Sequence, residues 1–498
     1  MKKIFYILIL LIIIFSVQRE HGFSKESVHD LIFNWKMKQA KKQLDKIKSK
    51  PASLMGLYEF YSGNYSKSLK YFKSTKDTEK WEKIILELKP VTRKFKTIQS
   101  QYFKIRYTGK DEIIAIYLKD ILDKSAENLY KKLNWKPQKK VLTEIYPDKK
   151  SFQTASTLTD KQIKVSGAVG ICKFNRIMFL SPKALKFGFD WPNTATHEYI
   201  HYIVGKVSNL GNFPLWMNEG LAKFLEEIWR KSESSISPVG INYLIQGRKY
   251  NKWVELDKMK HGMPNLQTKD DVTLAFAQVQ SMIEYMVNRY GWDRISELIY
   301  ELGNSKPSPA FKKAIGISES ELFLKWKDYI KTAELKYTPG AKAPSYAFKN
   351  DPVNEINEWV ADTAVSDMKL ARDFKKEGYM EIALRKYNDA LEKDPGNPVV
   401  LNRMGKIMAE IDNLKQARES FKEAINSNPS YPPPYINLSS IEFDTKRYDR
   451  AENYAKEYIY LSPYNPRAHE ILIKIYKIKN NKKKLGIEHK IMGILNES

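Results

Sequence analysis

Asn193-Thr194-Ala195-Thr196-His197-Glu198-Tyr199-Ile200-His201 and, after a break, Trp216-Met217-Asn218-Glu219-Gly220-Leu221-Ala222-Lys223-Phe224-Leu225-Glu226-Glu227 decide how this chain is read. The first stretch holds His-Glu-x-x-His. Pro192 precedes it and Asn193 or Thr194 is placed to cap it, so a helix is predicted from there. Residues four apart share one helix face, so His197 and His201 point the same way and can hold a single Zn²⁺ at about 2.0–2.1 Å. Glu198, one position on from the first imidazole, can reach a water at that ion from the side and take its proton. Gly205, Gly211 and Pro214 break the chain next, which predicts a helix, a short loop and a second helix folding back. Glu219 near the start of that helix can complete a three-ligand site with the fourth position open. Gly220 and Ala222 remove bulk where the two helices must approach.

Working outward, residues 99–337 read as one α+β unit. Tyr102 to Tyr107 alternates and predicts a strand, Ile113 to Leu133 a helix, and Val141 to Tyr146 a second strand. Gly167 to Gly170 followed by Arg176 to Leu180 predicts a hairpin or edge strand, after which the pattern turns helical. Gln278 to Gly291 and Leu322 to Ile330 read as later helices, and residues 338–363, with Pro344 and Pro352, as a linker.

Residues 364–498 repeat. Pro395, Pro429 and Pro463 stand 34 residues apart, and the same period joins Ala383, Ala417 and Ala451. Tyr387 matches Phe421, and Ala371 matches Gly405. This spacing of small, aromatic and proline positions resembles the tetratricopeptide repeat, which implies paired helices that bind protein partners. The third unit is looser, with Glu442 and Tyr458 at positions expected to be apolar or small, and the chain from Pro466 onward is expected to be a degenerate closing unit. Residues 24–95 show a helix–turn–helix rhythm (Leu57, Tyr58, Tyr61, Gly63, Tyr65, Leu69, Phe72) and read as helical, of divergent repeat type.

Composition sets the outer limits. The chain has 498 residues, 42% hydrophobic and 29% charged, enough to build real cores. The net charge of +26 is scattered, so no nucleic-acid partner is expected; anionic envelope polymers or lipid headgroups would feel a pull. Cys172 is alone, which excludes an intramolecular disulfide, and reads as a small buried hydrophobe. Residues 1–23 read as a targeting segment: Lys2 and Lys3, then an apolar run from Ile4 to Phe15 that suits a signal peptide better than a full span. Val17-Gln18-Arg19-Glu20 is a poor cleavage site, which leaves cleavage near Gly22 to Ser24 or an uncleaved membrane anchor. Export to a bacterial cell envelope, periplasmic or anchored, is the expectation.

The pair His-Glu-x-x-His (His197 to His201) and Asn-Glu-Gly-x-Ala (Asn218 to Ala222) resembles the gluzincin metallopeptidases, in particular peptidase MA-like domains. The resemblance covers about residues 100–335. It implies a thermolysin-like zinc domain with a cleft between a strand part and a helical part. By carry-over, His197, His201 and Glu219 are the ligands of one Zn²⁺ and Glu198 is the general base. Two departures stand out. An acid often stands four residues after the third ligand, but here that residue is Lys223, and Glu226 becomes the candidate partner of a zinc histidine; the alternative for Glu226 is a solvated helix surface. Phe276 stands where such domains tend to carry a tyrosine, so Tyr243, Tyr250 and His261 become the candidates for stabilising the oxyanion. The reading is an exported zinc metallopeptidase, endopeptidase by default because no amine-binding acidic motif stands out. The alternatives are a repeat scaffold with a slow or inert metallopeptidase fold, and an envelope-polymer binder with a structural zinc.

Overall fold

The computed structural model describes residues 26–75, 78–208, 213–259, 262–263, 266–343, 348 and 359–497. The targeting segment, His261 and much of the 338–363 linker lie outside the described residues. Helices dominate and surround one small mixed sheet.

Helices α1 (Val28–Phe33) and α2 (Met37–Leu44) pair, as do α3 (Ala52–Tyr61) and α4 (Tyr65–Phe72), and α5 (Glu79–Thr92) leads into the sheet. Gly56 lies so close to Phe72 that a Cβ would sit 2.4 Å from the ring, and buried Ser68 donates to the Gly56 carbonyl at 2.7 Å. These helices share one continuous core with the sheet.

The sheet runs β1 (Lys96–Gln99), β2 (Phe103–Tyr107), β3 (Val141–Tyr146), β4 (Gly170–Lys173) and β5 (Arg176–Leu180), in the order β1-β2-β3-β5-β4. The two inner pairings, β2 with β3 and β3 with β5, are parallel, and both edge strands are antiparallel. β1 was not among the predicted strands, because Lys96-Thr97-Ile98-Gln99 offers a single apolar side chain to pattern. The β4–β5 turn carries Phe174 and Asn175 at φ 55° and 60°. Asn tolerates that region; Phe174 is held there with its ring against Phe60, Tyr61 and Trp81 of the N-terminal helices.

Helices α6 (Glu112–Leu133), α7 (Lys149–Ser156) and α8 (Asp160–Ser166) lie along the sheet part of the chain. The helical part follows with α9 (Trp191–Val207), α10 (Leu215–Leu225), α11 (Pro238–Tyr250), α12 (Leu256–Met259), α13 (Lys269–Asn304), α14 (Pro307–Ile315) and α15 (Glu319–Thr332). α13 extends the predicted Gln278–Gly291 helix at both ends. Thr268 caps its start, and Gly291 at φ 77° kinks the chain and lets it continue to Asn304.

The repeats form four hairpins: α16 (Asp362–Lys376) with α17 (Met380–Lys393), α18 (Pro398–Glu410) with α19 (Leu414–Ser427), α20 (Pro433–Asp444) with α21 (Tyr448–Leu461), and α22 (Pro466–Ile478) with α23 (Lys482–Asn496). Ala383, Ala417 and Ala451 are fully buried, and a Cβ on Gly405 would lie 2.7 Å from Phe421. In the looser third unit Glu442 is buried but receives Arg418 at 2.9 Å, and Tyr458 accepts from Asn465 at 2.8 Å. The array also packs back onto the sheet part and onto α9. The Trp191 indole donates to the Ile459 carbonyl at 3.1 Å, Arg230 pairs with Glu457, and Tyr464 donates to Asp111 at 2.6 Å.

Candidate metal centre

Helix α9 begins earlier than predicted. Asp190, rather than Asn193 or Thr194, is its N-cap, accepting from the Asn193 amide at 3.1 Å. Pro192 stands in the first turn, where its missing N–H removes no intrahelical bond. Three turns of largely buried helix then aim His197 and His201 at α10. Gly220 lets α10 lie flat against α13: a Cβ there would sit 2.6 Å from the Val279 carbonyl oxygen.

The geometry converges on one point. The Nε2 atoms of His197 and His201 each lie 3.5 Å from Glu219 Oε2, and the three ligand-type atoms are all within 4.8 Å of one another. Each imidazole is braced on its outer nitrogen. His197 Nδ1 is 3.2 Å from Glu226 Oε2, and His201 Nδ1 is 2.9 Å from Asn218 Oδ1. An amide or carboxylate oxygen only accepts, so both Nδ1 atoms carry a proton and both Nε2 atoms face the centre. Lys223 donates to the other oxygen of Glu226 at 2.6 Å, which keeps that carboxylate ionised and turned towards His197. Glu226 is thus a bonded, mostly buried group and not a solvated helix surface.

The charges favour a cation. Burial opposes charging of His197, but hydrogen bonds to Glu219 and Glu226, with the field of Glu198, push its pKa up to about 9. Burial likewise opposes charging of His201, and Glu219 outweighs it. Burial would raise Glu219, yet the two imidazoles hold it well below the usual carboxylate range. Glu198 differs: burial dominates and raises its pKa, against His201 and His197. It is the one carboxylate of the group poised to take up a proton.

Edge strand β4 reaches this carboxylate. A Cβ on Gly170 would lie 2.9 Å from Glu198 Oε1, and the Cys172 backbone N–H is close enough to favour the charged form of the same side chain. Cys172 is half-buried, and burial pushes its thiol pKa up, away from nucleophilic use. No hydrogen bond links the two described oxyanion candidates to the cluster, and His261 lies outside the described residues. Tyr243 donates to Asp270 at 2.6 Å, and Tyr250 is 67% exposed at the end of α11. Phe276 is packed on the main core. Sequence reasoning passed over Asn218 as a brace, although its place beside Glu219 in the first turn of α10 puts it next to His201. It also passed over Lys223 as the partner of Glu226.

A helix-borne His-Glu-x-x-His with a carboxylate from the next helix, set against a sheet edge, is a donor set that could hold a metal ion. The profile of the Peptidase MA superfamily matches residues 123–332, and that of the tetratricopeptide repeat matches residues 432–465. The chain therefore carries a Peptidase MA superfamily domain joined to a tetratricopeptide repeat. The repeat match falls on the third unit, the one whose sequence looked loosest. Among solved structures, MamA 41-end from Desulfovibrio magneticus RS-1 is 18% identical, covering 28% of this chain and 77% of its own, with a TM-score of 0.26. The first TPR of Spaghetti (RPAP3) bound to HSP90 peptide SRMEEVD is 21% identical, covering 24% of this chain and 98% of its own, with a TM-score of 0.23. No curated protein matches the chain.

Proposed function

We propose that the chain is an exported zinc metallopeptidase of thermolysin-like type that hydrolyses peptide bonds, most simply as an endopeptidase, with the repeats binding protein partners or substrates. The observation that carries this reading is the convergence of His197 Nε2, His201 Nε2 and Glu219 Oε2, with Glu198 alongside. A tetrahedral zinc at about 2.0–2.1 Å asks its ligands to stand roughly 3.3 Å apart, close to the 3.5 Å seen, so the donor set fits. Zn²⁺ held there would polarise the scissile carbonyl and acidify the attacking water. Glu198, its pKa raised by burial, accepts the proton of that water and returns it to the leaving amine. Glu226 and Asn218 fix the two imidazoles so that no reorientation is needed. β4 pairs only with β5 among the described residues, so its outer edge suits an extended peptide lying as an added strand beside Glu198.

The test is one zinc per chain by elemental analysis, with hydrolysis of a denatured protein by the parent and by Glu198→Gln. The expected result is zinc retained in both and activity lost about 10²-fold or more in the variant. Zinc bound with an inactive parent would instead favour the repeat scaffold.

A further inference from the structure

The basic charge, scattered along the whole chain, is densest near its N-terminal end. Residues 26–96 hold 17 Lys and Arg against 8 Asp and Glu, a net +9, in about a seventh of the chain. Residues 364–498, nearly twice as long and built of the same kind of hairpin, hold 24 against 19, a net +5. On α2, Lys38 and Lys42 share the face opposite buried Ala40; on α4, Lys67 and Lys70 lie opposite buried Tyr65, Ser68 and Phe72. With Lys46 and Lys73 just past the two helix ends, these six lysines are exposed, and none has an ion-pair partner among the described residues. Both helices pack on α3, so their outward lysines belong to one small helical layer.

We propose that this lysine surface of α2 and α4 docks on an anionic lipid bilayer. Unpaired ammonium groups are what a surface of negative headgroups attracts, each worth about fivefold in partitioning. The alternative polyanion, nucleic acid, is disfavoured by position. The apolar run Ile4–Phe15 ends eleven positions before Glu26, a reach of at most about 40 Å, so a segment that enters a bilayer holds these helices beside it. Among the described residues no helix is long and apolar enough to cross a membrane, so the contact is one of adsorption. The proposal is independent of the peptidase reading.

The test uses the chain from Ser24 to Ser498, which keeps every described residue, with vesicles of phosphatidylcholine alone and with about 30% phosphatidylglycerol. Sedimentation should show binding to the anionic vesicles only, abolished by about 0.5 M salt. The variant with Lys38, Lys42, Lys67 and Lys70 all changed to Gln should lose at least about 100-fold in partitioning with its thermal unfolding unchanged. The matched variant with Lys406, Lys415, Lys422 and Lys482 changed to Gln should lose less than about fivefold. Equal losses in the two variants, binding to neutral vesicles, or displacement by duplex DNA at equal phosphate would overturn the proposal.

Discussion

Gly56 meets the ring of Phe72, and Gly405 meets that of Phe421, at the same sixteen-residue spacing and nearly the same closeness. The N-terminal hairpin and the C-terminal repeats therefore solve one packing problem in one way, yet they are fastened to the rest of the molecule differently. The N-terminal helices are tied in by fully buried charge. Arg176 donates to the Phe60 carbonyl at 3.0 Å and faces Glu144, which also takes Arg106 at 2.9 Å and the Tyr65 hydroxyl at 2.6 Å. The repeats are tied in by hydroxyl donors to buried carboxylates, Tyr464 to Asp111 and Tyr117 to Glu488, and by ion pairs nearer solvent, of which Arg230 with Glu457 is the plainest, its side chains about a third exposed. A helical unit can thus be a wall of the domain or an attachment to it, depending on the charges at its border.

That contrast breaks most readily at Arg176. Changing it to Met leaves Glu144 buried with one cation instead of two and the Phe60 carbonyl without its donor. The expected loss is about 3–5 kcal/mol of stability in denaturant unfolding, because buried Glu144 then keeps only Arg106 to offset its lost hydration and a buried carbonyl loses its donor. A loss below about 1 kcal/mol would put the N-terminal border in the same class as the repeat border.

A pH measurement sharpens the same point. Lys206 on α9 donates to the Trp35 carbonyl at 2.7 Å and to Asn175 at 2.6 Å, and burial lowers its pKa from 10.5 to about 8. Between those values the unfolded chain binds the proton more fully than the folded one, so stability should rise with pH from about 8 to 10.5. Below pH 8 the whole cost of the buried ammonium is present. The stability difference between the parent and Lys206→Met should therefore grow by as much as about 3 kcal/mol across that window. A flat difference would mean that water reaches the amine.

The cluster of His197, His201 and Glu219 was legible because its spacing is local: two imidazoles four residues apart on a helix must face together, whatever surrounds them. Glu226 was legible only as one of two readings, since nothing in the sequence shows Lys223 turning it towards His197. The N-cap was misplaced because Asp190 lies beyond a proline that seemed to mark the boundary. The borders of the domain were not legible at all. Trp191 bonds a carbonyl 268 residues away, and Tyr65 a carboxylate 79 residues away, through pairs with no pattern in either partner's neighbourhood. Periodicity reports which face of an element is buried, not what buries it.

The smallest effect belongs to the repeat border. Arg230 and Glu457 are hydrogen-bonded through both oxygens, with the second contact at 2.8 Å, and the guanidinium also stacks 4.2 Å over Trp229. Water still reaches both groups, so Coulomb attraction is screened and side-chain ordering offsets much of it. A double-mutant cycle of Arg230→Met and Glu457→Gln should give a coupling of about 1 kcal/mol or less. Trp191 would keep its bond to Ile459, and Tyr464 its bond to Asp111, so neither single change should detach the array. A coupling near that expected for Arg176 would mean the repeats close the molecule as firmly as the N-terminal helices do. A partner pulling on them would then load the helix that carries His197 and His201, because Trp191 at its first turn is one of the places where the array is attached.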